Sequence, residues 1–143
     1  MRSIVELCAK DYDEVQINAW GRRPFNRDQL ILSMRHDLVW VVELNGRIEG
    51  FGHFKKHSRE GQDFGVILGL YFTPEVKGLG LGRKLVRLME EKSHELGLMR
   101  IELQSTLTSH GFYEKLGFRA MGDTMTIHIG GVALPCVPME KRL

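Results

Sequence analysis

The chain is poor in the features that staple a protein together, anchor it or string it into modules. Its two cysteines, Cys8 and Cys136, lie near opposite ends, with no Cys or His beside them at metal-ligand spacing. Packing is the role read for both thiols, and no metal is expected. No apolar run approaches the roughly 20 residues needed to cross a bilayer, so no membrane partner is expected. Residues 1–10 alternate apolar and polar without a continuous apolar stretch or a small-residue cleavage site, which gives no secretion signal and sets a cytoplasmic expectation. The formal net charge of +2 is spread along the chain with no block of one sign. A nucleic-acid binder concentrates Lys and Arg on one face, so nucleic acid is not an expected partner. No internal repeat, low-complexity tract or Pro/Ser linker marks a boundary, and 1–143 reads as one domain. What is present suffices for that: 143 residues, 43% of them apolar, can bury one core unaided.

Residues 3–7 read as a short strand. Asp11 with Glu14 resembles a capping box opening a helix that runs to about Trp20, and Asn26 with Gln29 repeats the signal after the breakers Gly21 and Pro24. Residues 38–44 and 48–54 are β-rich runs around Asn45-Gly46, the strongest short hairpin signal. The polar stretch 55–63 is expected to be a loop. It leads into 64–73, apolar on both faces as a central strand is, closed by Pro74. Leu81, Leu85, Leu88, Met89 and Leu96 then fall at the spacing of one helical face, and Gly97 stops that helix. Residues 99–104 alternate as a strand, which lies parallel to the one before because a helix joins them. A short helix over 109–116 and a hairpin of 119–129 with 132–139, turning at Gly130-Gly131, complete a mixed α/β (α+β) domain.

Lys77-Gly78-Leu79-Gly80-Leu81-Gly82 sits between the buried strand and the amphipathic helix. The first helical N–H groups lack intrahelical partners, and with the helix dipole they form an anion site that glycines let a phosphate approach. A dinucleotide fingerprint needs a third Gly where this chain has Arg83, and a Walker loop needs Ser or Thr where it has Leu85. A plain glycine-rich turn entering a helix gives the same local pattern.

The segment resembles the acetyl-CoA signature of the GCN5-related N-acetyltransferase (GNAT) family, Gln/Arg-x-x-Gly-x-Gly/Ala. Lys77 stands in the place of Gln or Arg, and Gly80 and Gly82 match. A second family block, Ser/Asn-x-x-Ala-x-x-Phe-Tyr-x-x-Leu-Gly-Phe, is similar to residues 106–118, with Thr106 and Ser109 as departures and Phe112-Tyr113 and Leu116-Gly117-Phe118 as matches. The resemblance implies a central, mostly antiparallel sheet of about six or seven strands flanked by about four helices. It also implies transfer of an acetyl group from acetyl-CoA directly to an amine, with the cofactor in a splay between the two parallel strands.

On that likeness Leu70, Tyr71 and Phe72 offer main-chain groups to the pantetheine arm and, near Leu70 or Tyr71, to the oxyanion. Lys77, Gly78, Leu79, Gly80, Leu81 and Gly82 hold the pyrophosphate, with Thr106, Ser109 and Phe112 beside them. Tyr113 meets the departing thiolate; a buried aromatic packing on Phe112 is the bland alternative. No carboxylate lies on the central strand, so Glu49, His53, His110 or a water chain is left as base. His53 and His57 are four apart but without a third ligand, and no zinc site is read. The acceptor is a small-molecule or peptide amine whose pocket is drawn from 20–27, 55–63 and the closing hairpin. A non-catalytic acyl-CoA-binding domain and transfer of a longer acyl chain are the competing readings. Pro135 and Pro138 blunt a C-terminal edge strand that permits, without requiring, a homodimer.

Overall fold

The computed structural model describes residues 2–22 and 26–143; Pro24, read as a breaker, lies outside them. Asn45 and Gly46 both take positive φ, 52° and 72°, as a two-residue hairpin turn of matching twist requires. They join β1 (Leu38–Leu44) to β2 (Arg47–Arg59). β2 does not end at Phe54. It continues through the expected loop and reverses at Glu60-Gly61, again with positive φ at both residues, into β3 (Gln62–Phe72). Residues 55–63 are thus mostly strand. Their polarity reflects exposure, and ladder pairs from Lys55↔Val66 to Arg59↔Gln62, with a Lys56–Asp63 ion pair at 2.5 Å, hold them extended.

A 3-10 turn (Pro74–Val76) leads to the glycine loop and to α4 (Leu81–Glu95), followed by β4 (Arg100–Thr106). α5 (His110–Glu114), β5 (Arg119–Ala120), β6 (Met125–Ile129) and β7 (Val132–Arg142) complete the order. The sheet has seven strands in the order β1-β2-β3-β4-β7-β5, with β6 also on β7. Among the described residues only β3 and β4 run parallel, joined through α4, as expected for the crossover. The closing hairpin turns at Gly130-Gly131, but its first arm is split into β5 and β6. β7 is an interior strand, so Pro135 and Pro138 blunt no edge. Their carbonyls are used instead, Pro135 O accepting from the Tyr12 hydroxyl and Pro138 O from the Met121 N–H.

α4 packs tightly on one sheet face: a Cβ at Gly52 would come within 2.6 Å of Met89. Phe54, Met89, Ile101 and Met139 are fully buried there. The buried stripe of α4 is Leu85, Val86, Met89 and Ser93, whereas Leu88 and Leu96 are exposed. The apolar face is therefore rotated from the one read in sequence. Ser93 is accommodated because its hydroxyl donates to Met89 O at 2.8 Å.

At the N-terminus the expected strand 3–7 is a helix, α1 (Arg2–Cys8). Ile4 and Cys8, one turn apart, bury together against Tyr12, Ile17 and Leu134, and that shared face outweighs a five-residue alternation. α2 (Glu14–Gly21) is capped by Asp13 with Gln16 in a reciprocal box. Asp11 is instead occupied by the Thr108 hydroxyl at 2.6 Å. α3 (Arg27–His36) opens on Asn26 as read, which makes five α-helices among the described residues, against about four expected.

Tyr12 ties distant segments. Its hydroxyl donates to Pro135 O (2.8 Å) and accepts from the Leu107 N–H (2.9 Å). Tyr12→Phe leaves both backbone groups unpaired, and we expect a loss of about 1–3 kcal/mol in urea unfolding with an unchanged m-value. A loss under about 0.5 kcal/mol would mean that water replaces the hydroxyl freely.

Candidate active site

β3 and β4 are paired only over Gly65–Ile67 against Ile101–Leu103. Beyond that, β3 stays with β2 as far as Phe72↔Gly50, and β4 stays with β7 as far as Thr106↔Cys136. The strands part, and the edges that face each other have no ladder partners. A bulge sits where they separate: Phe54 pairs with Ile67 and His53 with Gly69, leaving Leu68 unpaired. Such a bulge bends the strand away. Leu68 went unnoticed in the sequence because register is a cross-strand property.

A cleft of about 1020 Å³ opens at this point. Leu70, Tyr71 and Phe72 line it from β3, Lys77, Gly78, Gly80, Leu81 and Gly82 from the loop and first turn of α4, and Thr106, Ser109, Phe112 and Tyr113 from the far wall. Of the residues singled out by sequence for cofactor or thiolate contact, Leu79 alone falls outside it, 56% exposed.

The loop geometry follows from its glycines. Gly80 is the N-cap of α4 in a left-handed conformation, φ 72°, and no side chain caps the helix. The N–H groups of the first turn therefore have no capping partner. A Cβ at Gly82 would lie 3.1 Å from Phe112 and 3.5 Å from Phe72, so the missing side chain lets both rings close on the helix start. On the opposite wall the Thr106 hydroxyl donates to Ser109 Oγ (2.9 Å) and accepts from the Ser109 N–H (3.1 Å), fixing the turn that presents α5.

Tyr113 is 6% exposed, edge-on to Phe112 and Phe118 at 5.0 and 5.5 Å. Among the described residues its hydroxyl forms no hydrogen bond. Burial, with Tyr71 nearby adding to it, holds the phenol well above its ordinary value of 10.0. The neutral form is thus favoured by folding. That contribution is complete below the unfolded value and is lost as pH climbs from about 10. Wild-type protein should lose stability more steeply than Tyr113→Phe above about pH 10 in urea unfolding; equal slopes would place the phenol in ordinary solvent.

The three base candidates have partners of their own, and that of Glu49, Thr73, lines the cleft. Glu49 accepts from the Thr73 hydroxyl at 2.5 Å, His53 is held by Asp37 at 2.7 Å, and His110 lies 3.7 Å from Glu114. None lines the cleft. Its lining does include His57 and Glu102, and Glu102 is bound by Arg59 (3.1 Å) and Arg100 (3.0 Å). Residues 55–63 were expected to line the acceptor pocket as a loop; as a strand, Lys55, His57 and Arg59 alternate onto one face, and Glu102 joins them from β4. Among the described residues no group of His, Cys, Asp or Glu is placed to hold a metal, and no helix is long and apolar enough to cross a membrane.

Residues 2–118 match the acetyltransferase (GNAT) family model. The chain belongs to the GNAT family. It is 38% identical over 94 residues to a glucosamine 6-phosphate N-acetyltransferase of Trypanosoma brucei brucei, covering 64% of each protein. The aligned stretches span only 59% to 64% of the curated relatives it matches. The GNAT fold superposes on a GCN5-related N-acetyltransferase from Rhodopseudomonas palustris with a TM-score of 0.85, at 25% identity over 99% of this chain and 84% of that one. For the PaiA N-acetyltransferase of Thermoplasma acidophilum, solved in complex with coenzyme A, the TM-score is 0.78 at 22% identity, over 99% and 87%. In this GNAT chain the family's glycine loop and its Phe-Tyr block line one cleft and meet at Gly82 and Phe112.

Proposed function

We propose that the chain is an N-acetyltransferase that moves the acetyl group of acetyl-CoA directly onto a primary amine. The observation that carries this is the junction of three features in one cleft: parted strands, an uncapped glycine-rich helix start, and Tyr113. The residues present fit such a co-substrate. The free main-chain edge at Leu70, Tyr71 and Phe72 suits an amide-rich arm, the first turn of α4 suits a pyrophosphate, and Lys77 and Arg83 add positive charge at that end.

Acetyl-CoA supplies an activated acyl thioester. The acceptor nitrogen bonds to the acyl carbon, the carbon–sulfur bond breaks to release the CoA thiolate, and the nitrogen sheds its proton to water. Main-chain N–H groups where β3 parts from β4 stabilise the oxygen that becomes negative, a type of contact worth about 3–4 kcal/mol. Tyr113 stays protonated and donates a hydrogen bond to the leaving sulfur. Full proton transfer would be uphill by roughly 2 kcal/mol at ordinary pKa values, and the raised phenol adds to that. A lysine-like amine is neutral in only about one molecule in 2,500 at pH 7, so the proton leaves before or during attack.

A second reading draws on the same cleft. Glu102, the carboxylate lining it, is bound by two arginines, which favours a domain that binds acyl-CoA without turnover. Thiol release measured across an amine panel separates the two. The enzyme reading requires CoA formation with at least one amine, whereas acetyl-CoA binding without thiol release from any of them assigns the binding role.

A further inference from the structure

Away from the phosphate loop, the floor of the cleft is cationic. Lys55, His57 and Arg59 line it from alternate positions of β2. Among the described residues, Glu102 is the single carboxylate lining the cleft. It is 12% exposed and saturated by Arg59 and Arg100, so it offers little to an incoming ammonium. Those guanidinium groups are held in place over the Phe64 ring, at 4.9 and 4.4 Å.

Lys55 differs from its neighbours. Lys56, on the other face, is paired with Asp63 at 2.5 Å, while Lys55 is half-buried and forms no ion pair or hydrogen bond among the described residues. A cleft-lining ammonium without a counter-ion is a ready seat for an anion. Its ladder partner is Val66, two residues before the Leu68 bulge. At about 3.3 Å per residue, that is about 7 Å along the strand from where β3 begins to part from β4.

We infer that the acceptor amine also carries an anionic group, a phosphate or a carboxylate, which Lys55 seats on the floor of the cleft. This rests on the acetyltransferase reading above and adds the substrate class. An acceptor with positive charge alone is repelled by Lys55 and the arginines, whose combined charge Glu102 offsets only in part. One that brings its own anion satisfies Lys55, and the same cationic surroundings lower the pKa of its amine, which favours the neutral nucleophile. Polyamines are excluded on the same ground.

The test compares matched acceptors in the thiol-release assay: glucosamine 6-phosphate against glucosamine, leucine against leucinamide, and spermidine. At least one anionic member should exceed its neutral partner in kcat/KM by about tenfold or more, and whichever pair responds identifies phosphate or carboxylate. Lys55→Met should raise KM for that acceptor by about tenfold, leave KM for acetyl-CoA within about twofold, and be largely rescued by Lys55→Arg. Preference for neutral amines or spermidine overturns the inference while leaving the acetyltransferase intact; absence of acetyl-CoA binding overturns both. Should no panel member turn over, inorganic phosphate titrated into the CoA complex decides. Saturable perturbation of the Lys55 side-chain NMR signal, absent in Lys55→Met, supports the anion seat, and no saturation up to about 20 mM contradicts it.

Discussion

Tyr113→Phe is expected to lower kcat by about 100-fold while leaving KM for acetyl-CoA within about twofold. The substitution keeps the ring and its edge contacts with Phe112 and Phe118, so the wall of the cleft stays packed. What it removes is one hydrogen bond to a sulfur that becomes charged only as the bond breaks. Hydrogen bonds to charged groups contribute about 1.5–3 kcal/mol, which corresponds to roughly 10- to 150-fold in rate. The upper part of that range applies because the residue as a whole is only 6% exposed. Since folding holds this phenol well above 10, its loss as a donor does not shape the pH–rate profile below about pH 10. A kcat within about threefold of wild type would remove Tyr113 from the chemistry and leave it a packing residue.

Gly80→Val is expected to weaken acetyl-CoA binding by about 100-fold with little change in Tm. Gly80 adopts φ 72° at the start of α4, and a Cβ there would meet nothing within 4 Å. The penalty is therefore conformational rather than steric. The left-handed region costs an ordinary residue roughly 1–2 kcal/mol and a β-branched one more. The exposed loop escapes that cost by changing its path, which turns the first N–H groups of α4 away from the pyrophosphate. Gly97 provides the control. It has φ 69° just after the same helix, also with open space around it, and it lies away from the cleft. Gly97→Val should cost stability and leave acetyl-CoA affinity unchanged. Equal affinity loss in both variants would point to a general weakening of α4.

The parts of this protein legible in its sequence are those set by short-range chemistry. Asn45-Gly46 and Gly130-Gly131 specify hairpin turns whatever surrounds them, and the Lys77–Gly82 loop with the Phe112-Tyr113 block carried the cleft's two walls. Glu60-Gly61 makes the same kind of turn as Asn45-Gly46, but Glu is a poor signal for positive φ, so β2 was cut short. Lys55, His57 and Arg59 were thus placed in a loop expected to line the acceptor pocket, and their alternation onto one face of a strand was not seen. Interior β7 was misread as an edge because its pairing with β4, β5 and β6 is visible only in the assembled sheet. Glu49, His53 and His110 were reasonable bases by residue type. Their partners Thr73, Asp37 and Glu114 are tertiary and helical neighbours that residue type alone does not reveal. The Tyr12 bridge joins residues 95 and 123 positions apart and leaves no local trace.

Acetyl-CoA binding is tested most directly by titrating acetyl-CoA into the folded protein, followed by calorimetry. One saturable site with a micromolar Kd is expected, lost in Gly80→Val and retained in Gly97→Val and Tyr113→Phe. Absence of saturable heat in protein shown to be folded by circular dichroism would contradict it.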